Sequence, residues 1–214
     1  MRYPWMDEYL LQKRGVTKDF QPVWNWVRYH IGGRMFAALC LDKAGKPYYI
    51  NLKQDPMEAA FLQEQYEDIL PGYYSDKRNW VSVRCDGAVP DGLLREMLDR
   101  AYGLALAGMS KKARRLALGL TVCGLACTAC SLYRQSCPGC TECAGRVFHA
   151  PKGRPCPIYG CAVYRRRRTG CGGCAEAPCP LWEQARDPAL PEEAFRASVR
   201  IRLENWKEVP KDAL

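Results

Sequence analysis

Cysteines are the residues of this sequence whose type and spacing could do chemistry. Only two of the 13, Cys40 and Cys85, precede residue 123, and the stretch CGLACTACSLYRQSCPGCTEC (123–143) holds six of the other eleven. Thiols two or three residues apart in tight turns can converge on one ion, and a distant pair completes a tetrahedron. The spacing predicts metal binding by the eleven clustered cysteines, which are Cys123, Cys127, Cys130, Cys137, Cys140, Cys143, Cys156, Cys161, Cys171, Cys174 and Cys179.

Zinc is the first expectation, because eleven thiols supply up to two four-cysteine sites with three left over. An iron–sulfur cluster is the alternative. Cys137, Cys140 and Cys143 match the opening of a ferredoxin run, but twelve residues separate them from Cys156-Pro157 where three are expected. A disulfide scaffold and a dithiol redox centre at Cys171-Gly-Gly-Cys174 are weaker readings.

The start of the chain, MRYPWMDEYLLQKRG, has no basic region followed by an apolar one, so a signal peptide is not expected. No run approaches the ~18 apolar residues of a membrane span. The protein is therefore predicted to be cytoplasmic and to have no membrane partner. Thiols stay reduced in the cytoplasm.

Charge and cysteine content change at the same place in the chain. Residues 1–110 carry 14 basic and 14 acidic residues, whereas residues 111–214 carry 18 and 9, which accounts for the net charge of +9. Two shifts at one place predict two domains. The predicted divisions are a domain at 1–108, a basic linker at 109–122, a cysteine-rich domain at 123–185 and a C-terminal helix at 186–214.

The first domain is predicted to be an α+β sandwich, with an antiparallel sheet and helices. WVRYHI (26–31) and MFAALCL (35–41) flank Gly32-Gly33, which indicates a hairpin. Asp55-Pro56 is typical of a helix start, and residues 94–105 have clear helical periodicity. The tail from Pro191 is predicted to be amphipathic, with Phe195, Val199, Leu203 and Trp206 on one side.

The motifs GGRMFAAL, INLKQDP, PGYYSDKRNW and DGAVPDGLLREMLDRAY resemble the MmcQ/YjbR family in order and spacing, over roughly residues 20 to 107. The resemblance implies an α+β fold of the double-wing kind and DNA binding. It also implies that Lys53, Lys77, Arg78 and Trp80 occupy the family's characteristic positions.

The pattern CGLACTACSLY…CPGC…CPIYGCA…CGGCAEAPCPLW resembles a cysteine-rich domain family of unknown function. This resemblance covers about residues 123–183, treats Cys143 as additional and implies a metal site. The second half is therefore expected to be a small, metal-stapled domain, and the amphipathic helix of the tail is expected to end it.

Clusters of basic residues also lie in the second half of the chain. Arg165, Arg166, Arg167 and Arg168 form an unbroken run that could bind phosphates, with Lys111, Lys112, Arg114 and Arg115 near the expected joint. The chain contains no set of residues typical of catalysis. A non-enzymatic binding protein is therefore predicted, with DNA, RNA or a protein as its partner; an iron–sulfur or dithiol redox protein is the alternative.

Overall fold

The chain forms two units in the computed structural model, Met1–Gly108 and Met109–Leu214. The structure describes residues 2–127, 130–148, 150–207 and 209. Among these residues, no helix is both long enough and apolar enough to cross a bilayer.

The described part of the first unit contains a six-stranded antiparallel sheet in the order β1-β2-β3-β4-β6-β5. Its strands are β1 (Val16–Gln21), β2 (Trp26–Ile31), β3 (Arg34–Leu41), β4 (Pro47–Lys53), β5 (Ile69–Pro71) and β6 (Trp80–Arg84). The predicted α+β class with an antiparallel sheet is confirmed. The hairpin of β2 and β3 turns at Gly32 and Gly33, whose φ angles of 54° and 77° suit glycine in a two-residue turn.

Helices α1 (Met6–Leu11), α2 (Pro56–Gln65) and α3 (Asp91–Ala107) complete this unit. The predicted start of α2 is confirmed, since the Asp55 carboxylate accepts a 2.9 Å hydrogen bond from the Met57 amide and Pro56 opens the helix. Helix α3 packs against β3 and β4. Its buried side chains include Leu94, Met97, Leu98, Ala101, Tyr102 and Ala105, the periodic set read from the sequence.

A further cluster of buried hydrophobic side chains lies on the same sheet. Trp26, Ala38 and Cys40 are buried in it, and Tyr49 and Tyr73 pack against them. Adjacent strands place Trp26 opposite Cys40, and Cys40 opposite Tyr49, so these side chains share one face.

The second unit has short helices joined by long turns. They are α4 (Lys111–Ala117), α5 (Pro157–Tyr159), a π-helical segment (Gly160–Arg165), α6 (Pro180–Gln184) and α7 (Glu192–Lys207). Helix α4 lies inside the stretch 109–122, which was expected to be a linker. The Ser110 hydroxyl caps this helix by accepting a hydrogen bond from the Ala113 amide. Arg115 of this helix is only 4% exposed, and it donates a 3.1 Å hydrogen bond to the Thr169 carbonyl.

The core of the second unit is small, and two of its buried members are cysteines. It contains Val122, Cys140, Cys156, Ile158, Tyr159, Ala162, Trp182, Phe195 and Val199. Helix α7 contributes the last two and also buries Trp206, as the amphipathic pattern predicts.

Candidate metal centre

Ten of the eleven clustered cysteines line two cavities of the second unit. The first cavity, of about 110 Å³, is lined by six of them, Cys123, Cys127, Cys130, Cys137, Cys140 and Cys156. The second, of about 370 Å³, is lined by the remaining four, Cys161, Cys171, Cys174 and Cys179. The two cavities thus divide these cysteines in chain order, between Cys156 and Cys161.

Cys156 and Cys161 mark the division between the two cavities. They are neighbours in sequence, but Cys156 lines the first cavity and Cys161 the second. Cys156 immediately precedes α5, and Cys161 lies in the π-helical segment that continues it.

Tight turns position the other thiols of the second cavity. The Cys174 amide donates a 3.1 Å hydrogen bond to the Cys171 carbonyl, which closes the turn through Gly172 and Gly173. Cys179 caps the start of α6, whose Trp182 amide donates to the Cys179 carbonyl at 2.8 Å. This cavity therefore draws its thiols from one helical segment, one turn and one helix start.

The first cavity is more apolar. Val122, Val147, Ile158 and Tyr159 line it beside the six cysteines. One of its turns follows the spacing of the cysteines, since the Cys130 amide donates to the Cys127 carbonyl at 2.9 Å.

Burial makes several of these thiols poor acids. It raises the pKa of Cys140 to about 12, where the nearby thiols of Cys123 and Cys127 add to the effect. It also raises the pKa of Cys171 to about 12, with further contributions from Cys123, Cys174, Cys179 and Cys161. A metal ion reverses this preference, because it binds the thiolate and displaces the proton.

The thiols line these cavities without closing around a point. Within residues 2–127, 130–148, 150–207 and 209, no group of three or more His, Cys, Asp or Glu side chains is close enough together to hold a metal ion.

Polar groups beside the second cavity suit negatively charged sulfur. Arg166 lines it and places Nη1 3.8 Å from Cys174 Sγ. The Trp182 indole also lines it, is 2% exposed, and has no hydrogen-bond partner for Nε1 among the described residues. Such donors outside the ligand set stabilise metal-bound thiolates.

Three cysteines lie apart from both cavities. Cys143 does not line either one, and its Sγ donates a 3.2 Å hydrogen bond to the Gly139 carbonyl. Cys40 and Cys85 are buried in the first unit, where burial raises the pKa of both thiols. Cys143, one of the eleven cysteines predicted to bind metal, therefore lines neither cavity.

Trp206 supports the second cavity, and the sequence reading assigned it only to the apolar face of a helix. A Cβ atom built on Gly170 would lie 2.2 Å from Trp206 Cζ2, so the indole sits directly on the backbone that leads into Cys171. In the sequence, the only features that could have indicated this contact are the glycine before Cys171 and the tryptophan on the last helix.

The four arginines of the run differ in their partners. Arg166 binds the Glu176 carboxylate through two 2.6 Å hydrogen bonds, and Arg168 donates to the Gly173 carbonyl at 3.0 Å. Arg165 and Arg167 are exposed, and within the described residues neither side chain has a hydrogen-bond or ion-pair partner. Two of the four arginines are thus engaged by their own unit.

In the first unit, Lys53 and Trp80 face each other across β4 and β6, with Lys53 Nζ 6.0 Å from the Trp80 ring centroid. Lys77 and Arg78 are exposed on the loop that precedes β6. The carboxylate of Asp76 lies in the same loop and accepts a 3.0 Å hydrogen bond from the Arg78 amide. The four predicted positions are therefore close in the fold, with an acidic group among them.

Known proteins match the first unit. The sequence model of the YjbR family matches residues 11–104, a range that ends before the first clustered cysteine. The uncharacterized protein YbdF of Escherichia coli O157:H7 is 34% identical over 84 residues, which are 39% of this chain and 67% of YbdF. The uncharacterized protein YjbR of Escherichia coli K12 is 25% identical over 113 residues, 53% of this chain and 94% of YjbR.

A solved structure gives a similar match. The crystal structure of Deinococcus radiodurans protein DR2400, which carries the domain DUF419, has 29% sequence identity and a TM-score of 0.48. The similarity covers 54% of this chain and 86% of that one. Because the YjbR sequence model matches residues 11–104 and YbdF is 34% identical over 67% of its length, the chain belongs to the YjbR family through its first unit.

Proposed function

We propose that the protein is a non-enzymatic binding protein whose second unit is held together by zinc bound to cysteine thiolates, and whose exposed basic residues contact nucleic acid. The single observation that carries the proposal is the lining of the second cavity by four cysteines, Cys161, Cys171, Cys174 and Cys179. Four thiolates are a complete tetrahedral ligand set for structural zinc.

The first cavity would hold the second ion. Six cysteines line it, so four can bind zinc and two are left over. With Cys143 outside, the three surplus thiols expected from the sequence are accounted for.

Zinc would serve the fold because the second unit has little else to hold it. Its described core is small and partly made of cysteine, and its helices are short apart from α7. Small domains with few apolar residues are commonly stabilised by metal ions, whose binding then contributes directly to folding.

Nucleic acid is the proposed partner because of the charge. Two zinc ions with eight thiolates lower the +9 of residues 111–214 by eight and raise it by four, which leaves about +5. Arg165 and Arg167 project this charge from the surface beside the second cavity, and Lys77 and Arg78 add exposed cations on the first unit. Basic side chains of this kind bind phosphates through a salt-dependent interaction.

The apolar lining of the first cavity favours one alternative. Six thiols in an apolar setting also suit an iron–sulfur cluster, whose ligands are cysteine thiolates. In that case the protein would be a redox or metal-handling protein, and dithiol oxidation at Cys171 and Cys174 would belong to the same class. Both readings require reduced cysteines and agree with a cytoplasmic location.

Anaerobic purification of the full chain, followed by elemental analysis and a visible spectrum, tests the proposal. A colourless protein with about two zinc ions per chain is expected. Visible absorption with bound iron and sulfide would replace zinc with the iron–sulfur alternative. In a separate assay, the zinc-loaded protein should shift short DNA or RNA at low salt. The absence of a shift with either would contradict the nucleic-acid part and leave a protein partner.

A further inference from the structure

Aromatic side chains line a cavity in the first unit, on the sheet face that carries Trp26 and Cys40. The lining residues are Val23, Trp24, Trp26, Tyr48, Tyr73 and Tyr74, and the cavity volume is about 450 Å³. This volume lies in the range of small-molecule sites. We call the five rings of this set the aromatic cage.

The rings of the aromatic cage stand at steep angles to one another. Trp24 and Trp26 have centroids 5.5 Å apart and planes inclined at 64°. The planes of Tyr48 and Tyr73 meet at 85°, and those of Tyr73 and Tyr74 at 77°. A flat ligand is best held between two parallel faces, whereas steeply inclined walls surround a compact one.

A buried polar network fixes one wall of the aromatic cage. Asn51 and Ser82 are fully buried, and the Ser82 hydroxyl donates to Asn51 Oδ1 at 2.5 Å. Asn51 Nδ2 donates to the Tyr73 carbonyl at 2.7 Å, and the Tyr73 amide donates to Ser82 Oγ at 2.7 Å. The loop that carries Tyr73 and Tyr74 is therefore held through the backbone of Tyr73.

Tyr74 is placed at some cost in free energy. Its φ of 46° lies in the left-handed region, and its side chain is 86% exposed. A tyrosine in this conformation is uncommon, and such positions are concentrated at binding sites. Trp24 is also 53% exposed, so two rings of the cage present a large surface to solvent.

The electrostatics of the aromatic cage suit a cation. The faces of tryptophan and tyrosine rings are electron-rich and attract ammonium and guanidinium groups. The Arg28 guanidinium already lies 5.6 Å from the Trp24 ring centroid. Asp19 neutralises that charge through hydrogen bonds of 2.8 and 2.7 Å with Arg28, so Arg28 leaves little net charge to repel a second cation.

We propose that the aromatic cage binds a compact organic cation, a quaternary or methylated ammonium group. The group would sit among ring faces that are already in place, and the cage would select it by charge as well as by size. This site is separate from the cysteine cavities and does not depend on their metal.

Titration of the full chain with choline, followed by line broadening of its methyl protons in NMR spectra, tests the proposal. The comparison ligand is 3,3-dimethylbutan-1-ol, which has the same shape without the charge. Choline should bind about fivefold to tenfold more tightly than this alcohol, because the cation–π attraction is lost in the neutral compound.

Two variants locate the binding. Trp24→Leu and Tyr74→Leu should each weaken choline binding about fivefold, since each removes one ring from the cage. Phe20→Leu is the matched control, because Phe20 is 54% exposed on β1 and does not line the cavity. It should leave the affinity unchanged.

Three results would overturn the proposal. Equal binding of choline and the alcohol would make the cavity an apolar pocket without charge selection. Failure of choline to bind at all would remove the site. Binding of adenosine monophosphate that depends on Trp24, without binding of choline, would make the cavity a base-stacking site.

Discussion

The Cys171 amide donates a 2.8 Å hydrogen bond to the Val122 carbonyl. This bond joins two segments that are far apart in the chain and brings the cysteine that follows Val122 close to Cys171, whose pKa responds to the Cys123 thiol. The two cysteine-lined cavities are therefore neighbours that share a wall. Changes that loosen one are expected to affect the other.

Removal of one thiol from the second cavity should release one ion. Cys174→Ser is expected to lower the zinc content by about one ion per chain, because a three-thiolate set binds structural zinc far less tightly. Elemental analysis after anaerobic purification measures the change. Cys143→Ser is the matched control, since Cys143 lies outside both cavities, and it should keep the full content. An equal loss in both variants would argue against the assigned grouping.

The contact between Trp206 and Gly170 predicts that adding one methyl group at Gly170 destabilises the second unit. Gly170→Ala would place Cβ 2.2 Å from the Trp206 indole, so the ring must move. Such overpacking typically costs about 1–3 kcal/mol, and here it should also lower zinc retention against a chelator. Gly160→Ala has its nearest non-local atom at 3.8 Å and should behave like the parent protein. Limited proteolysis of the second unit compares the two, and equal sensitivity would contradict the packing argument.

The engaged and free arginines should contribute differently to nucleic-acid binding. The double change Arg165→Ala/Arg167→Ala should reduce the slope of log affinity against log salt by about 1.4 to 1.8, as expected for two lost phosphate contacts. Lys43→Ala/Lys46→Ala removes the same charge from an exposed turn of the first unit and should leave the slope nearly unchanged. Fluorescence anisotropy over a salt series supplies both slopes. Identical slopes for the two double variants would show a nonspecific charge effect.

Loss of a hydrogen bond from the buried Asn51–Ser82 network should lower the stability of the first unit more than loss of the partly exposed Ser75 hydroxyl. Ser82→Ala leaves Asn51 Oδ1 and the Tyr73 amide without their hydrogen bonds, and the expected loss of stability is about 1–3 kcal/mol. Ser75→Ala removes only 3.3 Å contacts and should cost less. Hydrogen exchange of β4 and β6 amides reports on the first unit alone. A larger effect at Ser75 would mean that the network does not hold the loop.

His30 should make the stability of the first unit depend on pH. Burial lowers the pKa of His30 from its usual 6.5, a shift that Asp19 opposes and Arg28 assists. Below pH 6.5 the unfolded chain therefore binds more protons at this residue than the folded chain does, and stability falls as the pH decreases toward the folded-state pKa. His30→Gln should flatten the change between pH 7.5 and 5.5 in the hydrogen exchange of β2. An unchanged pH profile in the variant would assign the dependence to other groups.

Local sequence determined much of the first unit. Gly32-Gly33 specified the hairpin, Asp55-Pro56 the start of α2, and the apolar period of residues 94–105 the buried face of α3, because each depends on neighbours along the chain. The family resemblance followed from the same motifs. The concentration of cysteines after residue 122 was likewise evident from composition.

Tertiary structure decided which of these residues meet. Cys156 and Cys161 line different cavities although they are five residues apart. Arg115 is buried against Thr169, and Arg166 is bound to Glu176. The aromatic cage draws its rings from three separate segments of the chain. Spacing along a chain indicates which residue types are available, but the direction of each side chain depends on backbone turns and packing between distant segments, which local patterns do not encode.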